Sequence, residues 1–245
     1  AGLTPQSLED AFYEELEGIK KIIPDATFEN CKKIKCIYNI ISNQNNSLWC
    51  KTTANFHNFN NSDVILQVGG GKNNVKNESF TNHPTRKGIT QINIKGQVVI
   101  AFNPSLCDSD KPLTIALTIL HEGIHAEIWR YLKENWNLGV WPENVNETTS
   151  EETFIKLFEL ACTSDKITSH HNEMLHNWID DIAKGLWEFN SKDGKWEDYR
   201  YLAYQGIWKK EDNCSLEILS ESKYDSLKSN FLNNVKSKFN LESCD

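Results

Sequence analysis

Apolar residues recur at helical spacing near the start of the chain. Leu8, Phe12, Leu16, Ile19 and Ile22 fall three or four positions apart behind Ser7 and Asp10, a cap with an acidic first turn, and Pro24 closes the predicted helix. A second amphipathic stretch, Phe28 to Ile41, carries Cys31 and Cys36 and ends in the polar run Ser-Asn-Gln-Asn-Asn-Ser. From Leu48 to Asn103 the period shortens. Val64 to Val68 stops at three glycines, Gly69 to Gly71, which predicts a strand and a turn. A turn is preferred to a phosphate loop there, because no Gly-Lys-Ser/Thr ending and no helix follow. Ile89 to Ile94 and Val98 to Phe102 flank Lys95-Gly96-Gln97, a hairpin pattern.

Beyond Asn103-Pro104 the helical period returns. Helices are predicted over Leu113 to Trp136, Glu151 to Cys162, Asn172 to Phe189, Trp196 to Trp208 and Tyr224 to Phe239. No repeat and no Pro/Gly/Ser-rich linker divides the chain. The pattern predicts one α+β domain over residues 1–245, with a helical segment 1–45, a β-rich part 48–103, helices over 111–189 and C-terminal helices over 196–245.

Composition narrows the function classes. Lys and Arg total 26 against 34 Asp and Glu, a net charge of −8, which argues against a duplex nucleic-acid binder dependent on cationic surface. The longest uninterrupted apolar run, Val98 to Phe102, is five residues, far short of a membrane-spanning helix. The seven cysteines form no Cys-x-x-Cys pair, so a zinc knuckle or thioredoxin-like site is not indicated. An odd count leaves at least one thiol unpaired within the chain, and up to three bridges would suit an exported protein. The chain starts at Ala1 without an initiator Met, which predicts an exported or excised domain, secreted or at the cell surface; the cytoplasm is the alternative.

The chemistry is concentrated in His121-Glu122-Gly123-Ile124-His125. Leu113, Leu117, Leu120, Ile124 and Ile128 mark one face of a helix through it. At 3.6 residues per turn, His121 and His125 sit one turn apart on one side and can share a cation. Glu122 projects about 100° around the helix from His121, beside such an ion and not on it. Zinc lowers the pKa of a coordinated water; a carboxylate in that place accepts the proton and returns it to a leaving amine.

A catalytic zinc takes a third protein ligand. His171, 46 residues after His125, shares a helical face with Met174, Leu175, Trp178 and Ile182 and is the favoured candidate. Glu147 is the second, in Asn146-Glu147-Thr148-Thr149-Ser150-Glu151, which resembles the Asn-Glu-x-x-Ser-Asp motif of thermolysin-like enzymes; a capped helix start explains that segment equally. His170, on another face with Asn177 and Asp181, is the third, and His176 is read as solvent-facing. His57 and His83 lie in polar loops without ligand spacing. Tyr199, Tyr201 and Tyr204 are available as oxyanion donors but read first as packing residues.

The stretch Thr118 to Glu127 resembles the active-site helix of SprT-like zincins, and more closely that of bacterial metallopeptidase-like proteins of similar length. Cys36-Ile37-Tyr38 and His171-Asn172-Glu173-Met174 match further segments of that group, although Leu175-His176 departs from the residues that usually follow the Met. The resemblance implies a zincin-like fold, zinc held by His121, His125 and His171, and Glu122 as general base. It also implies that an extended peptide would lie along Val98 to Asn103. The expected function is a zinc-dependent metallopeptidase acting on a peptide or protein substrate. The alternatives are a non-catalytic peptide-binding module of the same fold, a toxin or effector domain of a larger protein, and, disfavoured by the charge, a DNA-repair protease.

Overall fold

The computed structural model describes residues 22–53, 56, 64–69, 80, 84–93, 97–109, 111–134, 174–205, 207, 219–235 and 244. Four strands, β1 (Ile22–Pro24), β2 (Val64–Val68), β3 (Gly88–Ile92) and β4 (Val98–Phe102), form one sheet in the order β1-β2-β4-β3. β1 and β4 both run parallel to β2, and β3 returns antiparallel to β4. The chain is therefore α+β with a small mixed sheet.

All five residues of β4 are buried. Val98, Ile100 and Phe102 join Val64 and Leu66 in the main core beneath the helices, while Val99 and Ala101 meet Ile65, Ile89 and Phe80 in a second cluster. A strand paired on both sides and covered on both faces needs an unbroken apolar run, which is what the sequence provides there. Gly69 ends β2 at φ +72°, a left-handed conformation open to glycine.

The first helix-like pattern ends differently from its reading. Ile22 and Pro24 belong to β1, in register with Val64 and Leu66, while residues 1–21 lie outside the described residues. The second pattern holds but is broken at Cys31 into α1 (Ala26–Asn30) and α2 (Lys32–Asn43). Asp25 caps α1 by accepting from the backbone N–H groups of Thr27 and Phe28 at 2.8 and 3.0 Å. Ser47–Thr53, expected to begin the β-rich part, is helix α3. Its first turn is fixed from afar: Glu188 accepts from the Ser47 N–H at 2.7 Å, and the Asn46 amide donates to the Gly185 carbonyl at 2.8 Å.

The long helix α4 (Pro112–Glu134) opens on a proline, whose missing N–H costs nothing in a first turn. It packs against β3, β4, α2, α3 and α5 (Ile179–Phe189). Met174–Asn177 forms a helical turn leading into α5; Met174, Leu175 and Ile182 are buried and His176 is exposed, as the face assignment requires. A short 3-10 turn, Trp196–Tyr199, leads into α6 (Arg200–Tyr204), and α7 (Glu221–Asn234) lies against both. The predicted Glu151–Cys162 helix falls outside the described residues.

Two disulfides converge on α2. Cys31 is joined to Cys107, five residues ahead of α4, and Cys36 to Cys244. Cys50 is free and exposed, and Cys162 and Cys214 lie outside the described residues. No helix among the described residues is long and apolar enough to cross a membrane.

Candidate functional site

The site is built where α4 crosses β3. One turn apart on α4, the half-buried His121 and His125 turn their rings together, with Nε2 atoms 3.1 Å apart and ring centroids 4.8 Å apart. Nitrogen pairs at that distance either share one proton or present two lone pairs to one cation.

Glu122 points to the strand. Only 5% of it is exposed. The Thr90 hydroxyl donates its one proton to Oε2 at 2.6 Å, with the Glu122 main-chain carbonyl a longer second acceptor at 3.2 Å. Burial pushes the Glu122 carboxyl up to about 7; the Thr90 hydrogen bond and the positive charge of Arg86 pull against that rise without cancelling it. Its carboxylate also lies directly against Gly88, where a Cβ would stand 2.5 Å from Oε1. Gly88 and Thr90 are two residues apart, hence on one face of β3, and pair with Phe102 and Ile100 in the core-facing register of β4.

One neighbour ties this crossing together. The Trp129 indole N–H donates to the Thr90 carbonyl at 3.2 Å. Farther round the helix, the buried guanidinium of Arg130 makes a paired contact with Glu127 at 2.6 and 2.7 Å. On the side facing α3, the absence of a side chain at Gly123 lets α4 approach closely: a Cβ there would lie 3.1 Å from the Trp49 ring.

Which strand offers an edge follows from the ladder. The Asn103 N–H donates to the Lys87 carbonyl and the Asn93 N–H to the Gln97 carbonyl, at 2.8 and 2.9 Å. Alternation between those bonded pairs points the main-chain groups of Gly88, Thr90 and Ile92 away from β4. Among the described residues β3 pairs with β4 alone, whereas β4 is enclosed by β2 and β3. The expectation that a peptide would lie along Val98 to Asn103 is thus corrected: β4 has no open edge, and the strand beside Glu122 with outward groups is β3.

No family model, curated protein or solved structure matches the chain.

Of the residues singled out in the sequence, the fold brings the His121 and His125 rings together, while Glu122 on the same helix turns to β3. Glu147, His170 and His171 lie outside the described residues, as do His57 and His83. Tyr199 and Tyr201 are packing residues: Tyr199 stacks edge-on to Phe231, and Tyr201 meets Tyr224 and Phe231. The sequence does not single out Thr90, Gly88 or Arg86. The one signal for them is a glycine and a hydroxyl on the same face of a strand that otherwise buries apolar groups.

The two imidazoles are spaced as zinc donors are. Two imidazole nitrogens on a tetrahedral zinc stand about 3.3–3.4 Å apart, from Zn–N distances of about 2.0–2.1 Å. The separation of 3.1 Å found here is close to that, and imidazole is a preferred zinc donor. Among the described residues no group of three or more His, Cys, Asp or Glu is placed to hold an ion. Holding zinc would take at least one further donor besides these two imidazoles.

Proposed function

We propose that the chain is a zinc-dependent peptidase with a zincin-like site, and the convergence of the two Nε2 atoms to 3.1 Å beside a buried glutamate is the observation that carries it. His121 and His125 would hold the ion with a third ligand, His171 by preference over Glu147 or His170. When bound, zinc supplies water of lowered pKa and polarises a carbonyl. Glu122 then serves as the proton carrier: it takes the proton of the attacking water and delivers it to the departing amine. Its burial and its hydrogen bond from Thr90 suit this role by holding the carboxylate in one place. The outward main-chain groups of Gly88 suit pairing with an extended substrate, which would lay a peptide carbonyl across the site. The two disulfides favour an oxidising compartment, in keeping with an exported protein.

Metal analysis of the full chain tests the ligands. One zinc per chain is expected in the wild type, with clear loss in His121→Ala and in His171→Ala; full zinc in both variants overturns the site. Glu122→Gln should retain zinc and lose cleavage of unfolded casein, and undiminished cleavage removes Glu122 from its role.

A further inference from the structure

Glu122 has many rotamers open to it, and the one it adopts lays its carboxylate against β3. Three features of the fold restrict it. Gly88 leaves an open slot on β3 that any side chain would fill, since a Cβ would come within 2.5 Å of Oε1 and 2.6 Å of Cγ. Within the slot, the Thr90 hydroxyl reaches Oε2 at 2.6 Å. Thr90 is itself tied back to the same helix, its carbonyl accepting from the Trp129 indole at 3.2 Å. Trp129 lies seven residues, about two turns, beyond Glu122, so helix and strand are joined at both ends of Thr90.

We infer that Thr90 is the positioning residue of Glu122: its hydroxyl fixes the carboxylate in the slot over Gly88, and Trp129 fixes Thr90. This rests on the reading of Glu122 as general base. Thr90 touches neither metal nor substrate in this role and acts through the carboxylate alone. Small misplacements of a reacting group cost large factors in rate, so loss of the hydroxyl should lower turnover and leave substrate binding intact.

The test compares full-length wild type, Thr90→Val and Thr90→Ser, each loaded with zinc, by crystallography and by casein cleavage. The carboxylate should lie against Gly88 in the wild type and in Thr90→Ser, and be displaced in Thr90→Val, with zinc content equal in all three. The kcat of Thr90→Val should fall about tenfold to a hundredfold at constant KM, with Thr90→Ser restored to within about threefold. An undisplaced carboxylate in Thr90→Val, or a kcat within about twofold of wild type, overturns the inference. Should Thr90→Val fail to fold, Thr90→Ala repeats the comparison. If Glu122→Gln proves fully active, the base assignment fails while the crystal structures still decide whether Thr90 holds the carboxylate. If casein is not cleaved at all, those structures decide alone.

Discussion

Gly88 and Glu122 are in such close register that a Cβ on the glycine would stand 2.5 Å from the carboxylate oxygen. Gly88→Ala forces the carboxylate, the strand or the helix to move. Overpacking of this kind costs about 1–3 kcal/mol, readable as a lower urea midpoint with an unchanged slope. Zinc content should survive, because the His pair lies on the helix and not on the strand. Stability equal to wild type would show that the slot is looser than its geometry implies.

Gly123 faces a different constraint, and two effects compete there. Replacing glycine by alanine within a helix gains about 1 kcal/mol of propensity. Against this, the new Cβ would lie 3.1 Å from the Trp49 ring and 3.2 Å from the Thr52 hydroxyl. The two nearly cancel, so Gly123→Ala should change stability by less than about 1 kcal/mol. Gly123→Leu has no such offset and should destabilise by about 3 kcal/mol, measured by thermal or urea unfolding. A neutral leucine variant would disprove the close approach of α3 and α4.

The Cys31–Cys107 bridge spans 76 residues and ties α2 to the segment that leads into α4. Restricting the unfolded chain over such a loop contributes roughly 2–5 kcal/mol. The double variant Cys31→Ser/Cys107→Ser should melt well below wild type under oxidising conditions and match the reduced wild type more nearly. An unchanged melting temperature would count against the bridge.

Alkaline stability should depend on Tyr199. Its hydroxyl accepts from the Asn190 amide at 2.7 Å and donates to the Asp193 carbonyl at 3.0 Å. Burial, outweighing the Asn190 hydrogen bond, pushes it up to about 12. The folded state therefore holds this proton more tightly than the unfolded chain, in which tyrosine titrates near about 10. The contribution is whole below about pH 10 and is lost as pH rises from there towards 12. Tyr224 shifts the same way, so Tyr199→Phe should flatten the alkaline fall in stability without abolishing it. At neutral pH the variant should lose about 1 kcal/mol for the missing hydrogen bonds. Unfolding curves from pH 7 to 11 that superimpose with wild type after correction for a constant offset would refute the assignment.

Much of the framework could be read from periodicity, for identifiable reasons. β2 and β4 stand out as apolar runs because parallel interior strands are covered on both faces. The length of α4 followed from its apolar face, and the pairing of His121 with His125 follows from helical geometry alone. β1 was misread because three residues have no period of their own and Ile22 happened to continue a helical spacing. α3 was missed because its start is fixed by Glu188 and Asn46 contacting distant parts of the chain, not by a local pattern. The slot over Gly88 is equally non-local: Thr90 and Glu122 are 32 residues apart, and nothing in either segment announces the other. The edge strand, by contrast, was within reach. Thr90-Gln91 interrupts β3 with polar residues, while Val98 to Phe102 is apolar throughout, and that contrast separates an edge from an interior strand.

The order β1-β2-β4-β3 also governs how the molecule acquires its shape. Only the β3–β4 hairpin closes over a short loop; the parallel contacts of β2 with β1 and with β4 must each wait for dozens of intervening residues to be gathered in. Chains dominated by such distant pairings fold slowly. During that interval the five apolar residues of β4 have one neighbour at most and an open side. Refolding from denaturant should therefore lose material to aggregation as protein concentration rises, and Val98 to Phe102 is the segment most exposed to that loss.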